Sequence, residues 1–326
     1  MRKFIFVGDP HIRGTNPVHR KGDLREDLKA KFAEVYRIAA ENKVDAIIYP
    51  GDILDSPEVA LGVAFDFAEV LSMSPVPQYT TIGNHDVYGY NLDTYYRTSL
   101  RLLQMVVPNL SVLYRPGDNV MYDDVLITFE PYSSQIDING YGYCPPEHTD
   151  DFPGVRIHVA HGMLLDHDPP FDRYTKVQDV HTTADILLTG HDHTGYGIYK
   201  RPDGKIICNP GSLTRLAASQ SEINRPIQVA LITVHKQKEI EIELIPLKCA
   251  KPGEDVLDRS GIEAEKKRQY AMEQFAALIK TQTGEAVILN VPQIVETIAA
   301  QEKYDPAVVK MALELIEAER EKMGVV

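Results

Sequence analysis

Five short polar clusters in this chain contain the residue types that bind divalent metal ions and transfer protons. Aspartate, histidine and asparagine dominate them, and several follow directly on apolar runs typical of buried β-strands. Open α/β sheets bind their ligands at such strand ends. The clusters are Asp9-Pro10-His11, Gly51-Asp52-Ile53-Leu54-Asp55, Gly83-Asn84-His85-Asp86, His161-Gly162 and Gly190-His191-Asp192-His193.

The donor types favour a pair of transition-metal ions. Mn, Fe and Zn accept both imidazole nitrogen and carboxylate oxygen, whereas Mg or Ca alone would favour oxygen. Asp9 and His11 are two residues apart, as are His191 and His193. In an extended strand end this spacing points both side chains to one side, so we expect each pair to converge on the metals.

Other histidines lie outside the clusters. His158 is three residues before His161, so on a strand the two face opposite ways, and we expect His158 to be a packed or hydrogen-bonded core residue. His167 lies in a loop rich in aspartate and proline. Because loops at strand ends carry function, His167 is a candidate contact for the substrate.

The elements that must position the clusters alternate in the first half of the chain and become strand-rich in the second. This order predicts an α/β protein with paired sheets covered by helices, a four-layer α/β/β/α sandwich. Pro202-Asp203-Gly204 has the composition of a hairpin turn, and residues 131–154 are predicted to be a long irregular loop. The predicted helices are Leu24–Asn42, Val59–Met73 and Leu92–Val106, and the predicted later strands are Val125–Glu130, Val155–His161, Tyr196–Lys200, Lys205–Asn209, Ile227–His235 and Glu239–Leu247.

A Pro-Gly sequence at 252–253 marks the predicted boundary between a main domain, residues 1–250, and a small helical appendage, residues 251–326. Amphipathic patterns predict helices at Glu263–Thr281 and from Asp305 onward, with a shorter one between Pro292 and Lys303. Their apolar stripes could pack on one another or on the core, or could dock a partner. Amphipathicity alone does not separate these alternatives.

The composition indicates a soluble cytoplasmic protein with no membrane segment. At 326 residues and 44% hydrophobic, the chain can bury a full core, and no apolar run approaches the ~20 residues of a membrane span. The apolar run after Met1 is too short for a signal peptide and is predicted to be the first strand. The three cysteines lack the spacing of a disulfide framework or zinc site, which fits a reducing compartment.

The net charge of −13 is unfavourable for binding a polyanion, and two divalent ions would add only four positive charges. Any repulsion must therefore be relieved locally or by a partner. Basic residues after the first cluster, including Arg20, and after the turn at Pro210-Gly211-Ser212, including Arg215, are candidates to bind substrate. Such residues are as readily explained as a solvated face.

Taken in series, the five clusters resemble those of the calcineurin-like metallophosphoesterase superfamily. Within it, the chain is most similar to the nuclease subunit of the SbcCD complex, which repairs DNA double-strand breaks. The resemblance covers about residues 1–247. Four details carry the finer similarity: Asp55 at the end of its cluster, the helical pattern Leu24–Asn42 leading into Val44-Asp45-Ala46-Ile47, the strand end Val159-Ala160-His161-Gly162, and the segment Asn209–Arg215.

This resemblance implies roles for the cluster residues. Asp9, His11, Asp52 and His193 would hold one metal, and Asp52 would bridge to a second held by Asn84, His161 and His191. It also implies that His85 stays off the metals and protonates the leaving oxygen, a role that an imidazole beside the metals can fill. A carboxylate should orient that imidazole. The resemblance favours Asp55, and Asp86 remains open.

The leading hypothesis is therefore a DNA exonuclease and endonuclease that uses two divalent ions, expected to be Mn²⁺, with Fe, Zn or Mg as alternatives. The resemblance implies an SMC-like coiled-coil ATPase as partner, and the sequence leaves a homodimer open. A rival hypothesis is a small-molecule or phosphoprotein phosphoesterase, which the acidic charge and the short C-terminal region favour. A scaffold with purely structural metals is a third, weaker hypothesis, since His85 has no evident structural purpose.

Overall fold

The computed structural model describes residues 1–260, 267–270, 272, 295, 299 and 304–322. The chain divides into two compact units, Met1–Arg259 and Ser260–Val326. Within the described residues, no helix combines the length and apolar composition needed to cross a bilayer.

The first sheet has six strands, which are β1 Arg2–Phe6, β2 Ala46–Tyr49, β3 Gln78–Thr80, β4 Leu110–Val112, β13 Gln228–Val234 and β14 Ile240–Pro246. Their order across the sheet is β14-β13-β1-β2-β3-β4. Strands β1 to β4 are parallel to one another, and β13 pairs antiparallel with both β1 and β14. The carboxyl ends of β1, β2 and β3 therefore open onto the same edge.

The second sheet also has six strands, which are β5 Asn119–Met121, β6 Val125–Glu130, β7 Val155–Ala160, β10 Ile186–Thr189, β11 Gly197–Lys200 and β12 Ile206–Asn209. Their order is β11-β12-β10-β7-β6-β5. The central strands β12, β10, β7 and β6 are parallel, and β5 and β11 are antiparallel edge strands. A separate pair, β8 Leu164–Leu165 and β9 Thr175–Lys176, lies outside both sheets.

The two sheets pack face to face, and successive side chains of β1 point alternately to the second sheet and to the helices. Phe4 and Phe6 belong to an apolar cluster shared with the second sheet, whereas Ile5 and Val7 belong to the cluster beneath the helices. A strand buried on both faces reads as a continuous apolar run because neither face meets water. The predicted α/β sandwich is confirmed, and the six predicted later strands are confirmed to within one residue at each end.

Helices cover the first sheet. Helix α1, Leu24–Asn42, begins at Asp23, whose side chain accepts hydrogen bonds from the amides of Arg25 and Glu26. Helix α2 spans Leu61–Ser72, inside the predicted range. The predicted helix Leu92–Val106 is wrong as a single element. Thr98 is extended and caps α3, Ser99–Val106, so the preceding residues Leu92–Arg97 form a separate 3₁₀ helix.

Irregular segments occupy the predicted loop and turn positions. Residues 131–154 contain only the 3₁₀ turns Ile138–Gly140 and Glu147–Thr149. The hairpin between β11 and β12 turns at Gly204, whose φ of +85° is costly for any residue with a Cβ. Two short helices, α4 Gln220–Asn224 and α5 Gly253–Val256, complete the first unit.

In the second unit, α6 spans Pro306–Lys322. It begins with proline, as the sequence predicts, because the missing amide hydrogen costs nothing at the first helical position. Residues 267–270 are helical and belong to the predicted helix Glu263–Thr281, most of which lies outside the described residues. The predicted short helix between Pro292 and Lys303 also lies outside them, apart from residues 295 and 299.

Candidate metal centre

The five clusters meet where the carboxyl ends of strands from both sheets come together. Asp9 follows β1, Asp52 follows β2, and Asn84 follows β3, whereas His161 follows β7 and His191 follows β10. The two sheets are joined here by short contacts. The amide of His191 donates to Asp9 Oδ2 over 2.8 Å, and His161 Nδ1 donates to the carbonyl of Pro50 over 3.1 Å.

The backbone at this junction is unusual at three candidate ligands. His11, Asp52 and His191 have φ values of +46°, +47° and +75°, in the left-handed region that non-glycine residues avoid. Such conformations persist only where surrounding contacts impose them, and they concentrate at functional sites. Asp9 and His11 therefore converge by a backbone reversal, and the extended geometry predicted for this pair is wrong.

The same reversal at His191 separates the second pair. His193 groups with Asp9 and His11, whereas His191 groups with Asp52 and His161. Both histidines reach the metal centre, but they belong to different groups of ligands. An extended strand would instead have pointed both side chains to the same side.

Close packing at the centre depends on two glycines. A Cβ at Gly83 would lie 2.1 Å from Asp52 Oδ1, and a Cβ at Gly190 would lie 2.3 Å from Asp9 Oδ1. Neither approach is tolerable, so any side chain at these positions would push a candidate ligand away.

Two groups of candidate ligands share Asp52. Its Oδ2 lies 3.6 Å from His11 Nε2 on one side and 3.2 Å from His161 Nε2 on the other. On the first side, His11 Nε2 lies 2.9 Å from His193 Nε2, and His193 Nε2 lies 3.9 Å from Asp9 Oδ2. On the second side, Asn84 Oδ1 lies 3.0 Å from His161 Nε2.

These residues fit divalent cations. Asp9 Oδ1 and Asp52 Oδ2 are buried and have no hydrogen-bond partner among the described residues, although buried carboxylate oxygens are normally satisfied. The other oxygen of Asp52 accepts from the amide of His85 over 2.8 Å, which leaves Oδ2 directed between the two groups. The orphaned oxygens are thus placed where cations would satisfy them.

The crowded charges shift the pKa values of these residues in different directions. Burial would raise the pKa of Asp52, but the nearby imidazoles of His161 and His11 outweigh it and hold that pKa well below its usual range. For His161, burial is likewise outweighed by the charge of Asp52, and its pKa rises to about 9. Burial and the neighbouring His161 lower the pKa of His191 to about 3, so this imidazole is neutral, as a metal ligand must be.

His85 and Asp55 are not arranged as the sequence predicts. His85 Nδ1 donates to the backbone carbonyl of Asp55 over 2.9 Å. The Asp55 carboxylate lies instead 3.4 Å from His11 Nδ1 and 2.8 Å from Arg13 Nη1. The Asp86 carboxylate does not orient His85 either, because it is buried and accepts hydrogen bonds from the amides of Leu54 and Gly83. A main-chain group, which no motif reveals, therefore orients His85.

His85 is close to the candidate ligands. Its ring packs edge-on against His11 with centroids 4.9 Å apart, and one of its nitrogens lies within 4.8 Å of ligand atoms of His11 and Asp52. Its side chain is partly exposed, whereas His11 and Asp52 are fully buried.

Two of the predicted substrate contacts have structural partners. The Arg20 side chain is only 2% exposed and pairs with Asp27. Arg215 is buried and donates to the carbonyls of Glu222, Arg225 and Lys251. Both guanidinium groups are therefore directed at other parts of the protein, Arg20 at a carboxylate and Arg215 at backbone carbonyls.

The third predicted contact, His167, is exposed and bonds to the neighbouring Asp166 over 2.8 Å. By contrast, His158 is buried and bonds to Thr128 and to the carbonyl of Gly142, which confirms its predicted structural role.

The segment Asn209–Arg215 holds the backbone of the first cluster through hydrogen bonds. Ser212 Oγ donates to the carbonyl of Asp9 over 2.8 Å, and Thr214 Oγ1 donates to that of Pro10 over 2.7 Å. The segment is held in turn by Arg225, which donates to Ser212 and Thr214, and by Lys31, which donates to Leu213 over 2.8 Å. Buried basic residues thus fix the backbone that carries Asp9.

Sequence reasoning missed an aromatic wall beside the centre. The Tyr132 ring lies 5.5 Å from that of His191 and 6.2 Å from that of His161. The Tyr90 ring lies 5.7 Å from Tyr132, and the Arg173 guanidinium lies 5.8 Å from the Tyr132 ring centre. The only available signal was the number of tyrosines near the clusters, which does not indicate position.

A family model described as calcineurin-like phosphoesterase matches residues 2–195, more than half of the chain. A comparison with curated proteins finds no match. Similar solved structures include the calcineurin-like phosphoesterase YfkN from Bacillus subtilis, at 14% identity over 83% of this chain and 97% of that chain, with a TM-score of 0.44. Others are a protein of Thermus thermophilus, at 13% identity over 74% and 98% with a TM-score of 0.44, and a dimetal phosphatase from Danio rerio, at 10% identity over 75% and 96% with a TM-score of 0.43.

Proposed function

The chain belongs to the calcineurin-like phosphoesterase family, and from this we propose that it is a two-metal phosphodiesterase that cleaves DNA as an exonuclease and endonuclease. The observation that carries the proposal is the position of Asp52 Oδ2 between two groups of ligands. A shared carboxylate is what a two-metal phosphoesterase requires, because it screens the repulsion between adjacent cations.

The first ion would be held by Asp9, His11 and His193, the second by Asn84, His161 and His191, with Asp52 common to both. When bound, such ions polarise phosphoryl oxygens and activate water for in-line attack. We propose Mn²⁺ for both sites, because the donor set mixes nitrogen and oxygen.

His85 would protonate the leaving oxygen. Donation from Nδ1 to the Asp55 carbonyl leaves Nε2 as the atom that carries the transferable proton. The hydrogen bond also fixes the plane of the ring. His85 is partly exposed, so a leaving group can reach it.

The charge of the chain motivates a partner. With a net charge of −13 and with Arg20 and Arg215 bonded to other parts of the protein, the chain is poorly suited to neutralise DNA phosphates by itself. We therefore retain an SMC-like coiled-coil ATPase as the proposed partner, which would supply cationic surface and handle the duplex. The resemblance of the cluster sequences to the SbcCD nuclease subunit supports this choice.

Helix α6 offers a surface for such a partner. Val308, Met311 and Leu315 are 56%, 58% and 63% exposed, and their spacing of three and four residues places them on one face. An exposed apolar stripe at this spacing is the pattern by which helices pack on other helices. Self-association through the same stripe would give the homodimer that the sequence leaves open.

The three free cysteines support a reducing, cytoplasmic setting. Cys208 is buried, whereas Cys144 and Cys249 are exposed.

The rival proposal is a small-molecule or phosphoprotein phosphoesterase. Arg20 and Arg215 bond to other parts of the protein and are not available to bind phosphates. This favours the rival proposal, because such substrates need fewer phosphate contacts than duplex DNA.

One assay separates the two. Purified protein with Mn²⁺ should be tested against linear duplex DNA, single-stranded DNA, a cyclic dinucleotide and a phosphopeptide. We expect cleavage of the DNA substrates. Activity confined to the phosphopeptide or the cyclic dinucleotide would replace the nuclease proposal with its rival.

A further inference from the structure

An aromatic side chain projects from the loop that carries His85. Tyr90, five residues after His85, is 59% exposed and has a φ of +60°. Both features are unfavourable in isolation, since an exposed ring gains little burial and a left-handed tyrosine is strained. Something must hold Tyr90 in this position.

Hydrogen bonds around the turn impose the conformation. The amide of Tyr88 donates to Thr94 Oγ1 over 2.9 Å, and Thr94 Oγ1 donates to the carbonyl of Asn91 over 2.7 Å. The amide of Asn91 closes the turn on the carbonyl of Tyr88 over 3.1 Å. The hydroxyl of the neighbouring Tyr88 bonds to the exposed Glu58 over 3.1 Å, and Tyr88 is half-buried. Of the two tyrosines in the turn, Tyr90 is therefore the more exposed.

The ring of Tyr132 connects Tyr90 to the metal centre. The centroid of the Tyr132 ring lies 5.7 Å from that of Tyr90, 5.5 Å from that of His191 and 6.2 Å from that of His161. Its backbone is anchored by donation from the Tyr132 amide to the carbonyl of Ile82, next to the Asn84 cluster. The aromatic wall is thus tied to the same strand end as the candidate ligands.

A positive charge accompanies the wall. The exposed Arg173 lies over the Tyr132 ring and donates to the carbonyls of Ser133 and Ile136. Among the described residues, no carboxylate is paired with Arg173 in an ion pair. The Arg173 guanidinium therefore places a positive charge beside the aromatic wall, and no described carboxylate neutralises it. This combination suits a ligand that carries both an aromatic ring and a phosphate.

We propose that Tyr90, Tyr132 and Arg173 form a subsite that stacks the nucleobase next to the scissile phosphate. Base stacking on tyrosine is sequence-tolerant because every base has a π-face. The subsite rests on the proposed phosphodiesterase function and narrows its substrates to nucleotide diesters. It would hold the base while the adjacent phosphate occupies the centre.

The test uses the full-length Mn²⁺-loaded protein and the dinucleotide thymidylyl-thymidine. Two analogues, each with one base replaced by an abasic sugar, serve as matched substrates. Tyr90→Leu should raise KM for the dinucleotide by about 5- to 100-fold, the effect of one lost base–aromatic contact, with kcat little changed. It should leave KM unchanged for the analogue that lacks the stacked base, and the other analogue should behave like the dinucleotide.

Two variants serve as controls. Tyr90→Phe keeps the ring and should behave as wild type. Tyr96→Leu removes a tyrosine that is 75% exposed on the adjoining 3₁₀ helix and should change neither KM nor kcat.

An equal effect of Tyr90→Leu on the dinucleotide and on both analogues, or no effect on any, would overturn the subsite and leave the phosphodiesterase proposal standing. Failure of the wild type to hydrolyse any of the three would overturn both. A cyclic dinucleotide tested in parallel distinguishes the source of the base. A KM change restricted to the linear dinucleotide supports a nucleic-acid strand, and a change with both supports nucleotide diesters in general.

Discussion

The imidazole of His85 donates its Nδ1 proton to the backbone carbonyl of Asp55 over 2.9 Å. The carboxylate of the same aspartate points away from His85, toward His11 Nδ1 at 3.4 Å and Arg13 at 2.8 Å. Asp55 thus orients one histidine through its main chain and another through its side chain. Changing the side chain should affect only the second.

Asp55→Asn should lower metal affinity by about 10- to 100-fold, the usual effect of losing a carboxylate that orients a histidine ligand. Titration with Mn²⁺ would measure this. Once metal is saturating, the dependence of rate on the leaving group should match wild type, because the carbonyl that holds His85 remains. A selective loss on poor leaving groups would show that the carboxylate orients His85 after all.

His85→Ala should keep the metal content near that of wild type and lower turnover by a factor on the order of 10²–10⁴, the contribution of a positioned proton donor. The loss should be large for a diester with a poor leaving group and small for one with a nitrophenol leaving group, which needs little protonation. His181→Ala, an exposed histidine outside the clusters, is the matched control. Loss of metal from His85→Ala would make His85 a ligand, a result that its distance from His11 and Asp52 allows.

Asp52→Asn should weaken both metal sites together, because its Oδ2 lies between the two groups and screens one cation from the other. Asp9→Asn should weaken mainly the site of His11 and His193. Elemental analysis under Mn-replete conditions would count the ions retained by each variant. Retention of one full equivalent by Asp52→Asn would contradict the bridging role.

Lys31→Met should change how stability depends on pH. Burial, followed by the charges of Arg20, Arg215 and Arg225, lowers the pKa of Lys31 to about 7, against a weaker opposing effect of Asp27. Between about pH 7 and 10.5 the unfolded chain therefore binds more protons at this residue than the folded chain, and its contribution to the free energy of unfolding rises with pH.

Relative to Lys31→Met, wild type should thus gain stability on the order of 3–5 kcal/mol as the pH rises across this range. Denaturant unfolding at several pH values would measure the difference. Lys29→Met, on the same helix but at a position where the hydrogen bond to Glu26 raises the pKa, should show no such rise. A difference that stays constant or falls with pH would contradict the prediction.

Helix α6 should carry the interaction with the ATPase partner. Met311→Gln combined with Leu315→Gln should abolish ATPase stimulation of duplex cleavage and preserve hydrolysis of a small diester. Lys310→Gln, a polar position on the same helix, should preserve both.

Activity of the isolated chain on duplex DNA should be weak and strongly salt-sensitive, because few of its basic residues can neutralise phosphates.

Deletion from Gly261 onward should have the same effect as the α6 substitutions, since the first compact unit ends at Arg259. Stimulation that survives the deletion would exclude docking through this region. Unfolding of the first unit would instead assign the C-terminal helices to the core.

Local patterns were sufficient for the fold class and for the identity of the candidate ligands. Strands such as β6, Val125–Glu130, are apolar because both faces are buried, and that composition is visible without coordinates. Helix α1, Leu24–Asn42, has the bounds predicted from its helical pattern. The five clusters follow such elements, so their convergence at strand ends follows from the topology of parallel sheets.

Tertiary structure decided how those residues are used. The backbone is left-handed at His11, whose amide bonds to the carbonyl of Asp52, and at His191, whose amide bonds to Asp9 of the other sheet. His191 and His193 belong to different groups of ligands. Similarly, only the fold brings the carbonyl of Asp55 to His85, gives Arg20 and Arg215 their bonding partners, and places Tyr90 beside Tyr132. Residue type and spacing report what a side chain can do, whereas its partners come from chain segments that are distant in sequence, and local patterns carry no information about them.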